Sequence, residues 1–312
     1  MLDEFERHIG FYNMRFPASP SEANDVSIEN IIEKMVPFFD SGGAYWLHEK
    51  NTASLRLIDL DVDSFDGFIV LLISNSNTRI ADPSFEHIVS GDSRTANKGD
   101  GEGVASSAHL LISKSKSPTS GLYKAALEKV PSIGSTVIAA FLRSVLKEAF
   151  DTYSPRPVFT YNGTERVYRP LVDIVGDFSE KLAAQISRGQ LVGVELIDHR
   201  NEQQGLDEDG VFIEKRRSVE LGLSGDIDAD TVRSAIDKLR VRYRAQGYDQ
   251  MKVRLKFEEE GQQTIPVRLD IDQEATETLA VRKEVVKTEE RLGQRHEKIC
   301  KELVEGMIGI LS

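Results

Sequence analysis

AYWLHEKNTASLRLIDLDVDSFDGFIVLLIS, residues 44–74, contains three short apolar runs separated by polar residues and glycine. The runs at 44–50, 54–62 and 67–74 are rich in aromatic and branched aliphatic side chains, which favour β-strands. Because the connections between them are short, consecutive strands are expected to pair as neighbours. The stretch therefore predicts an antiparallel meander.

Four further elements are predicted around the meander: a strand at 5–16, a helix from residue 28, a strand at 105–113 and a helix at 135–150. Ser27 and Ser135 are placed to cap the two helices, and Pro37 with the following glycines is expected to end the first one. These elements make up a predicted N-terminal α+β domain, residues 1–152. The three prolines and the Asn-Gly pair of residues 153–170 then predict a linker.

A second α+β domain is predicted at residues 171–274. Its expected elements are a short helix at 178–188, a strand at 191–197, an acidic loop at 201–210, a strand at 211–223, a helix at 229–246 and a hairpin of strands at 251–258 and 264–271. In the first strand of that hairpin, Met251 and Val253 alternate with Lys252 and Arg254, which predicts one apolar and one charged face. The predicted fold class is thus α+β, with antiparallel sheets and flanking helices.

Residues 275–312 contain no proline, and their apolar positions recur at intervals of 3, 4 and 4, which predicts one long C-terminal helix. Such a helix needs a partner to bury its apolar face. It either packs lengthwise on the rest of the chain or forms a homodimer seam, and we expect the homodimer.

Composition limits the class of protein. The chain has 312 residues, a net charge of −12 and one cysteine, Cys300, which excludes an intramolecular disulfide. The acidic N-terminus does not resemble a signal peptide, and no apolar run approaches the roughly 18 residues of a membrane span. These features predict a cytoplasmic globular protein without a metal or other cofactor.

Several catalytic and ligand-binding motifs are incomplete. GDGEG at 99–103 has its lysine before the glycines and a strand after them, whereas a phosphate-binding loop ends in Gly-Lys-Ser/Thr before a helix. We therefore expect a flexible polar loop at 91–103. Asp59, Asp61 and Asp63 have the spacing of calcium ligands, but the glycine and final glutamate of a calcium loop are missing. His109 and His296 fall in apolar patterns, where a hydrogen-bonded structural histidine is the usual case.

A metal-dependent nuclease remains an alternative. Asp209 and Glu214 come nearest to the paired carboxylates that hold a catalytic metal. Arg216 occupies the position where such sites carry a lysine, and arginine does not readily lose a proton.

The clearest functional signal is a basic segment in an acidic chain. Residues 231–256 contain eight basic and two acidic residues, a local net charge of +6. A cationic strand beside a basic helix suits a phosphate backbone, because such contacts need charge and reach. The candidate nucleic-acid-binding residues are Lys215, Arg216, Arg217, Arg240, Arg242, Arg244, Lys252, Arg254 and Lys256.

The order of elements resembles the RexA proteins of lambdoid phage exclusion systems. The likeness rests on SIENIIEKM, AYWLHEK, SNSNTRIADPSFEHIVSG and SSAHLLI, followed by an α+β segment with a basic helix and strand. It implies DNA binding, self-association and abortive infection together with a membrane partner. No catalytic residue is implied.

Residues and resemblance together predict a non-enzymatic, homodimeric defence or exclusion protein. It would bind DNA or a DNA-bound complex through the basic segment and act with a separate membrane or nuclease protein. The alternative is an acidic protein-interaction module that recognises a basic partner or mimics nucleic acid.

Overall fold

The computed structural model describes residues 2–20, 22–118, 121–177, 190–198, 217–222, 238–239, 242–243, 248, 250–257, 261–268 and 282–311. The chain forms two compact units. The first comprises Met1–Gly176 and Lys283–Ser312, and the second comprises Asp177–Arg282.

In chain order the elements are β1 (Glu6–Arg15), β2 (Ala18–Ser19), α1 (Ile28–Asp40), β3 (Tyr45–His48), a 3-10 turn (Glu49–Asn51), β4 (Ala53–Asp61), β5 (Phe68–Asn77), β6 (Ser84–Glu86), β7 (Ser93–Thr95), β8 (Val104–Lys116), β9 (Tyr123–Glu128), α2 (Ser135–Thr152), β10 (Val158–Tyr161), β11 (Thr164–Val167), β12 (Arg169–Pro170), β13 (Asp173–Gly176), β14 (Gln190–Asp198), β15 (Arg217–Gly222), β16 (Gln250–Phe257), β17 (Gly261–Arg268), β18 (Lys283–Lys287) and α3 (Lys301–Leu311).

The first unit is built on an antiparallel sheet that has eight strands within the described residues. Its order is β13-β1-β9-β8-β5-β4-β3. The eighth strand, β18, pairs with residues 6–10 of β1, whereas β13 pairs with residues 12–15 of that strand. On one face, Val70, Leu111 and Ala126 pack with Leu303 and Met307 of α3. The alternate residues of the same strands point to the opposite face and are equally buried; they include Leu71, Leu110 and Leu127. The helices α1 and α2 cover this second face.

The predicted fold class is confirmed. The meander of residues 44–74 is present as β3, β4 and β5, paired antiparallel in chain order, and the strands predicted at 5–16 and 105–113 are β1 and β8. The second unit contains the antiparallel sheet β15-β14-β16-β17.

The prediction of one long C-terminal helix is wrong in its extent. Residues Lys283–Lys287 form β18, and the helix α3 begins only at Lys301. Val285 pairs with His8 and Val286 is buried, because β1 offers an open edge to which these residues add. A spacing of apolar residues near 3.6 does not reveal such a distant strand partner. The apolar residues of α3 that were expected to form a homodimer seam, such as Leu303 and Met307, are buried on the chain's own sheet.

The domain limits also differ from the predicted ones. Residues 153–170 form no linker but a β-hairpin, β10–β11, and the strand β12, all inside the first unit. Residues 171–176 belong to this unit as well, since β13 pairs with β1. Residues 283–312 return to it through β18 and α3. A local composition rich in proline and glycine marks turns, but it does not distinguish a hairpin from a linker.

One of the two predicted helix caps is confirmed, and the other is wrong. Ser27 caps α1, and its hydroxyl accepts the backbone N–H of Asn30 at 3.4 Å. Pro37 lies inside α1, whose last turn carries the buried Phe38. Ser135 does not cap α2, because the N-cap position is Gly134.

Other predicted elements lie outside the described residues: the helix at 178–188, the acidic loop at 201–210 and most of the helix at 229–246. Of that last helix, residues 238–239 and 242–243 are described and are helical. Among the described helices, none combines the length and hydropathy that a membrane span requires.

Candidate nucleic-acid interface

The sheet of the second unit has one apolar and one charged face. Val194, Leu196 and Met251 are buried on the first face. The register places Glu195 opposite Lys252 and Glu220 opposite Glu195, so that acids and bases of three strands share the other face. We call Glu195, Glu220, Lys252 and Arg254 the charged face. The alternation predicted for the strand at 251–258 is confirmed for its described side chains.

Two ion pairs cross the charged face. The Lys252 Nζ lies 3.7 Å from Glu195 Oε2, and Arg254 pairs with Glu220. The Lys252 and Arg254 side chains are 31% and 25% exposed, respectively. Pairs this accessible to water contribute at most about 1 kcal/mol each.

Gly193 lies beside the path by which Arg254 reaches its partner. Gly193 lies opposite Arg254, and Gly222 lies opposite Gly193 on the next strand. A Cβ added at Gly193 would be 3.7 Å from the Arg254 guanidinium and 2.8 Å from the Leu221 carbonyl oxygen. Because Gly193 has no side chain, Arg254 extends across β14 to Glu220. Its Nε is buried and has no hydrogen-bond partner among the described residues.

The structure brings part of the predicted set together. Lys252, Arg254 and Lys256 are alternate residues of β16, and Arg217 begins β15, two strands away in the same sheet. Arg242 is exposed, with its guanidinium carbon 5.9 Å from the centre of the Tyr243 ring. Four predicted residues lie outside the described part of the chain: Lys215, Arg216, Arg240 and Arg244.

The alternative metal sites receive no support from the described residues. Asp61 Oδ1 accepts the backbone N–H groups of Asp63 and Ser64 at 3.0 and 2.8 Å. Burial opposes ionisation of Asp61, but these hydrogen bonds outweigh it and lower the pKa of the carboxyl group. Asp59 accepts a backbone N–H from the C-terminal segment. Within the described chain, no three His, Cys, Asp or Glu residues form a metal-binding cluster. Asp209 and Glu214 lie outside it.

The polar groups of the glycine-rich loop form hydrogen bonds within the first unit. Lys98 donates to the carbonyl oxygens of Thr78 and Ile80, and the Gly99 N–H donates to Glu102 Oε2 at 2.7 Å. A Cβ at Gly103 would lie 2.7 Å from the Asn77 backbone carbon, which requires glycine where the loop rejoins the sheet. As predicted, a strand follows the loop.

A buried polar cluster in the first unit was not predicted as such. Arg7 Nε donates to Glu128 Oε1 at 2.8 Å, and His109 Nδ1 lies 2.7 Å from Glu128 Oε2. The Cys300 backbone N–H donates to His109 Nε2 at 3.0 Å, so the ring proton is on Nδ1, facing Glu128. Burial alone would raise the pKa of Glu128, but the hydrogen bond from His109 and the charge of Arg7 hold it below its ordinary value.

This cluster joins the C-terminal segment to the sheet. Arg7 also donates to the Gly293 carbonyl oxygen at 2.8 Å, and the His296 and Ile299 N–H groups donate to Ser107 and Asp59 at 2.7 and 2.8 Å. The side chains of Arg7, His109 and Glu128 are at most 1% exposed. Both ring nitrogens of His109 are hydrogen-bonded, as the sequence predicted for a histidine in an apolar strand. The sequence carried no clear signal for this cluster, because Arg7 lies between Glu6 and His8 and Glu128 is followed by Lys129.

A scan against protein-family models and a search of curated proteins found no match for this chain. The charged face therefore has to be interpreted from its own geometry.

Proposed function

We propose that the chain is a non-enzymatic phage-exclusion protein that binds DNA, or a DNA-bound complex, through the charged face of its second unit. The observation that carries this proposal is Arg254 beside the side-chain-free position Gly193, with Lys252 on the same face of β16. The glycine lets the Arg254 side chain lie across β14, where a quarter of that side chain stays exposed to solvent. Alternate residues of a strand lie about 7 Å apart, so the two cations can contact neighbouring phosphates.

Three further points support the proposal. The carboxylate partner of Arg254, Glu220, is 69% exposed, and that of Lys252, Glu195, is 25% exposed. Residues 231–256 carry a local net charge of +6, whereas the net charge of the whole chain is −12. The order of elements in the sequence resembles the RexA proteins, for which DNA binding and phage exclusion are expected.

Charge removal on the face tests the proposal. We expect Lys252→Gln with Arg254→Gln to weaken binding of a duplex oligonucleotide and to reduce the slope of log affinity against log salt by about 1.8, the loss of two phosphate contacts. Lys50→Gln with Arg79→Gln is the matched control, because it removes the same charge from exposed positions of the first unit. The proposal is wrong if both pairs of substitutions leave affinity and salt slope unchanged, or alter them equally.

A second candidate is the binding of a protein partner. It is favoured by the hairpin β6–β7, whose tip residues Ile88 and Val89 are 99% and 89% exposed. The turn is closed by its own hydrogen bonds, in which His87 Nδ1 accepts the Ser90 N–H at 3.1 Å and the Gly91 N–H donates to the His87 carbonyl oxygen at 2.9 Å. Displacement of DNA from a basic partner, without DNA binding by this chain, would favour this candidate.

A further inference from the structure

The hairpin β10–β11 of the first unit displays a second set of residues suited to nucleic acid. Asn162 and Gly163 close it with φ values of 48° and 76°, the left-handed pair of a two-residue hairpin turn. Its two strands pair with each other and, among the described strands, with no other. The register sets Phe159 opposite Arg166 and Tyr161 opposite Thr164, so these four residues share one face.

That face is a row of half-buried rings. The ring centres of Phe159 and Tyr161 are 6.5 Å apart, and those of Phe159 and Tyr168 are 6.3 Å apart. The guanidinium carbon of Arg166 lies 5.0 Å from the centre of the Tyr161 ring. We call Phe159, Tyr161, Arg166 and Tyr168 the aromatic face of the hairpin. All three rings keep part of their surface in contact with water.

The charge around the aromatic face is positive, although the chain as a whole is acidic. Residues 154–170 contain three arginines and one acid, Glu165. Arg169 is held by Asp151, with its Nε and one terminal nitrogen at 3.1 and 2.9 Å from Oδ1. Arg166 and Arg156 are exposed, and neither pairs with a carboxylate among the described residues.

Half-exposed rings beside the unpaired guanidinium of Arg166 match one class of ligand. The faces of unpaired nucleobases stack on aromatic side chains and on arginine, and the connecting phosphates contact the arginine charge. The bases of an intact duplex are already stacked on each other and offer no free face. A neutral apolar peptide would leave the arginines without a partner.

We propose that the aromatic face of the β10–β11 hairpin binds single-stranded nucleic acid. Bases stack on Phe159, Tyr161 and Tyr168, and Arg166 contacts the phosphates. This site lies on a different unit from the charged face and does not depend on duplex binding there.

Fluorescence anisotropy with a labelled oligothymidylate of about 20 nucleotides, longer than the ~4–16 nucleotides that small single-strand-binding folds occupy, tests the proposal. For each of Phe159→Ala and Tyr161→Ala we expect about a 5- to 100-fold loss of affinity, the effect of one stacked base. Tyr161→Phe keeps the ring and should bind within about twofold of the wild type. The matched controls are Thr160→Ala and Val167→Ala, which alter the opposite face of the same hairpin.

The outcomes separate this site from the charged face. Loss of single-strand binding in Tyr161→Ala, without loss of any duplex binding that the wild type shows, supports the aromatic face whether or not the charged face binds DNA. The proposal is overturned if the wild type does not bind the oligothymidylate, or if Tyr161→Ala binds it unchanged. Equal losses in the opposite-face controls, or an equal loss of duplex and single-strand binding in Tyr161→Ala, overturn it as well.

Discussion

Replacing Glu128 with glutamine removes one charge from the buried cluster while it preserves the shape of the side chain. The Arg7 and Glu128 side chains are each 1% exposed, and their Nε and Oε1 atoms are 2.8 Å apart. In the variant, the guanidinium charge of Arg7 remains buried without a counter-ion. Breaking a buried pair in this way typically lowers the free energy of unfolding by about 3–5 kcal/mol.

Unfolding of the first unit can be followed by the fluorescence of Trp46, the chain's single tryptophan, which lies in β3. With a urea m value of about 2 kcal/mol/M, a loss of ~3 kcal/mol lowers the transition midpoint by about 1.5 M. A second variant, Arg7→Met with Glu128→Gln, removes both charges. We expect it to recover much of the lost stability, because no unpaired charge stays buried.

Two results would refute this reasoning. A midpoint shift below about 0.5 M in Glu128→Gln, or roughly 1 kcal/mol at that m value, would mean that the charge of Arg7 is compensated without Glu128. A double variant as unstable as the single one would mean that lost packing, and not unpaired charge, is responsible.

The Arg7–Glu128 ion pair also affects how the stability of the protein changes at low pH. The folded state lowers the pKa of Glu128, because the hydrogen bond from His109 and the charge of Arg7 outweigh burial. The contribution of Glu128 to stability is therefore complete above its pKa in the unfolded chain, about 4.3. It is lost as pH falls through the lower pKa of the folded state. Glu128→Gln should lack this acid-dependent component.

Two further perturbations concern the C-terminal segment. Burial and the neighbouring His109 lower the pKa of His296 in the folded state, so stability should decrease as pH falls below about 6.5, and His296→Gln should flatten that decrease in urea titrations between pH 7 and pH 5. A Cβ at Gly306 would lie 2.4 Å from Val286 Cγ1, whereas nothing lies within 4 Å of one at Gly309. In thermal unfolding, Gly306→Ala should therefore destabilise the protein by about 1–3 kcal/mol, because the added methyl group overpacks the contact with Val286. Gly309→Ala should stabilise it by about 0.5–1 kcal/mol, because alanine favours a helix more than glycine does. Equal effects of the two substitutions would contradict the packing of α3 on β18.

The candidate sites were predictable to different degrees. The alternation of Met251, Lys252 and Arg254 placed both cations on one face in advance, because side chains of a strand alternate whatever the strand pairs with. Their acidic neighbours could not be foreseen. Glu195 and Glu220 come from strands more than 30 residues away, and only the register of β14 and β15 brings them to the charged face. The aromatic face of β10–β11 was hidden for the same reason in a segment that had the composition of a linker.

The sequence by itself determined the α+β class, the meander of residues 44–74, the Ser27 cap and the charged alternation of β16. Each depends on local periodicity or on a contact within one turn, which neighbouring residues specify among themselves. Tertiary structure alone decided that residues 283–287 are a strand on β1, that 283–312 rejoin the first unit, and that Arg7, His109 and Glu128 meet. Those features depend on pairing between segments far apart in the chain, where an open strand edge and the need to compensate a buried charge outweigh local helical spacing.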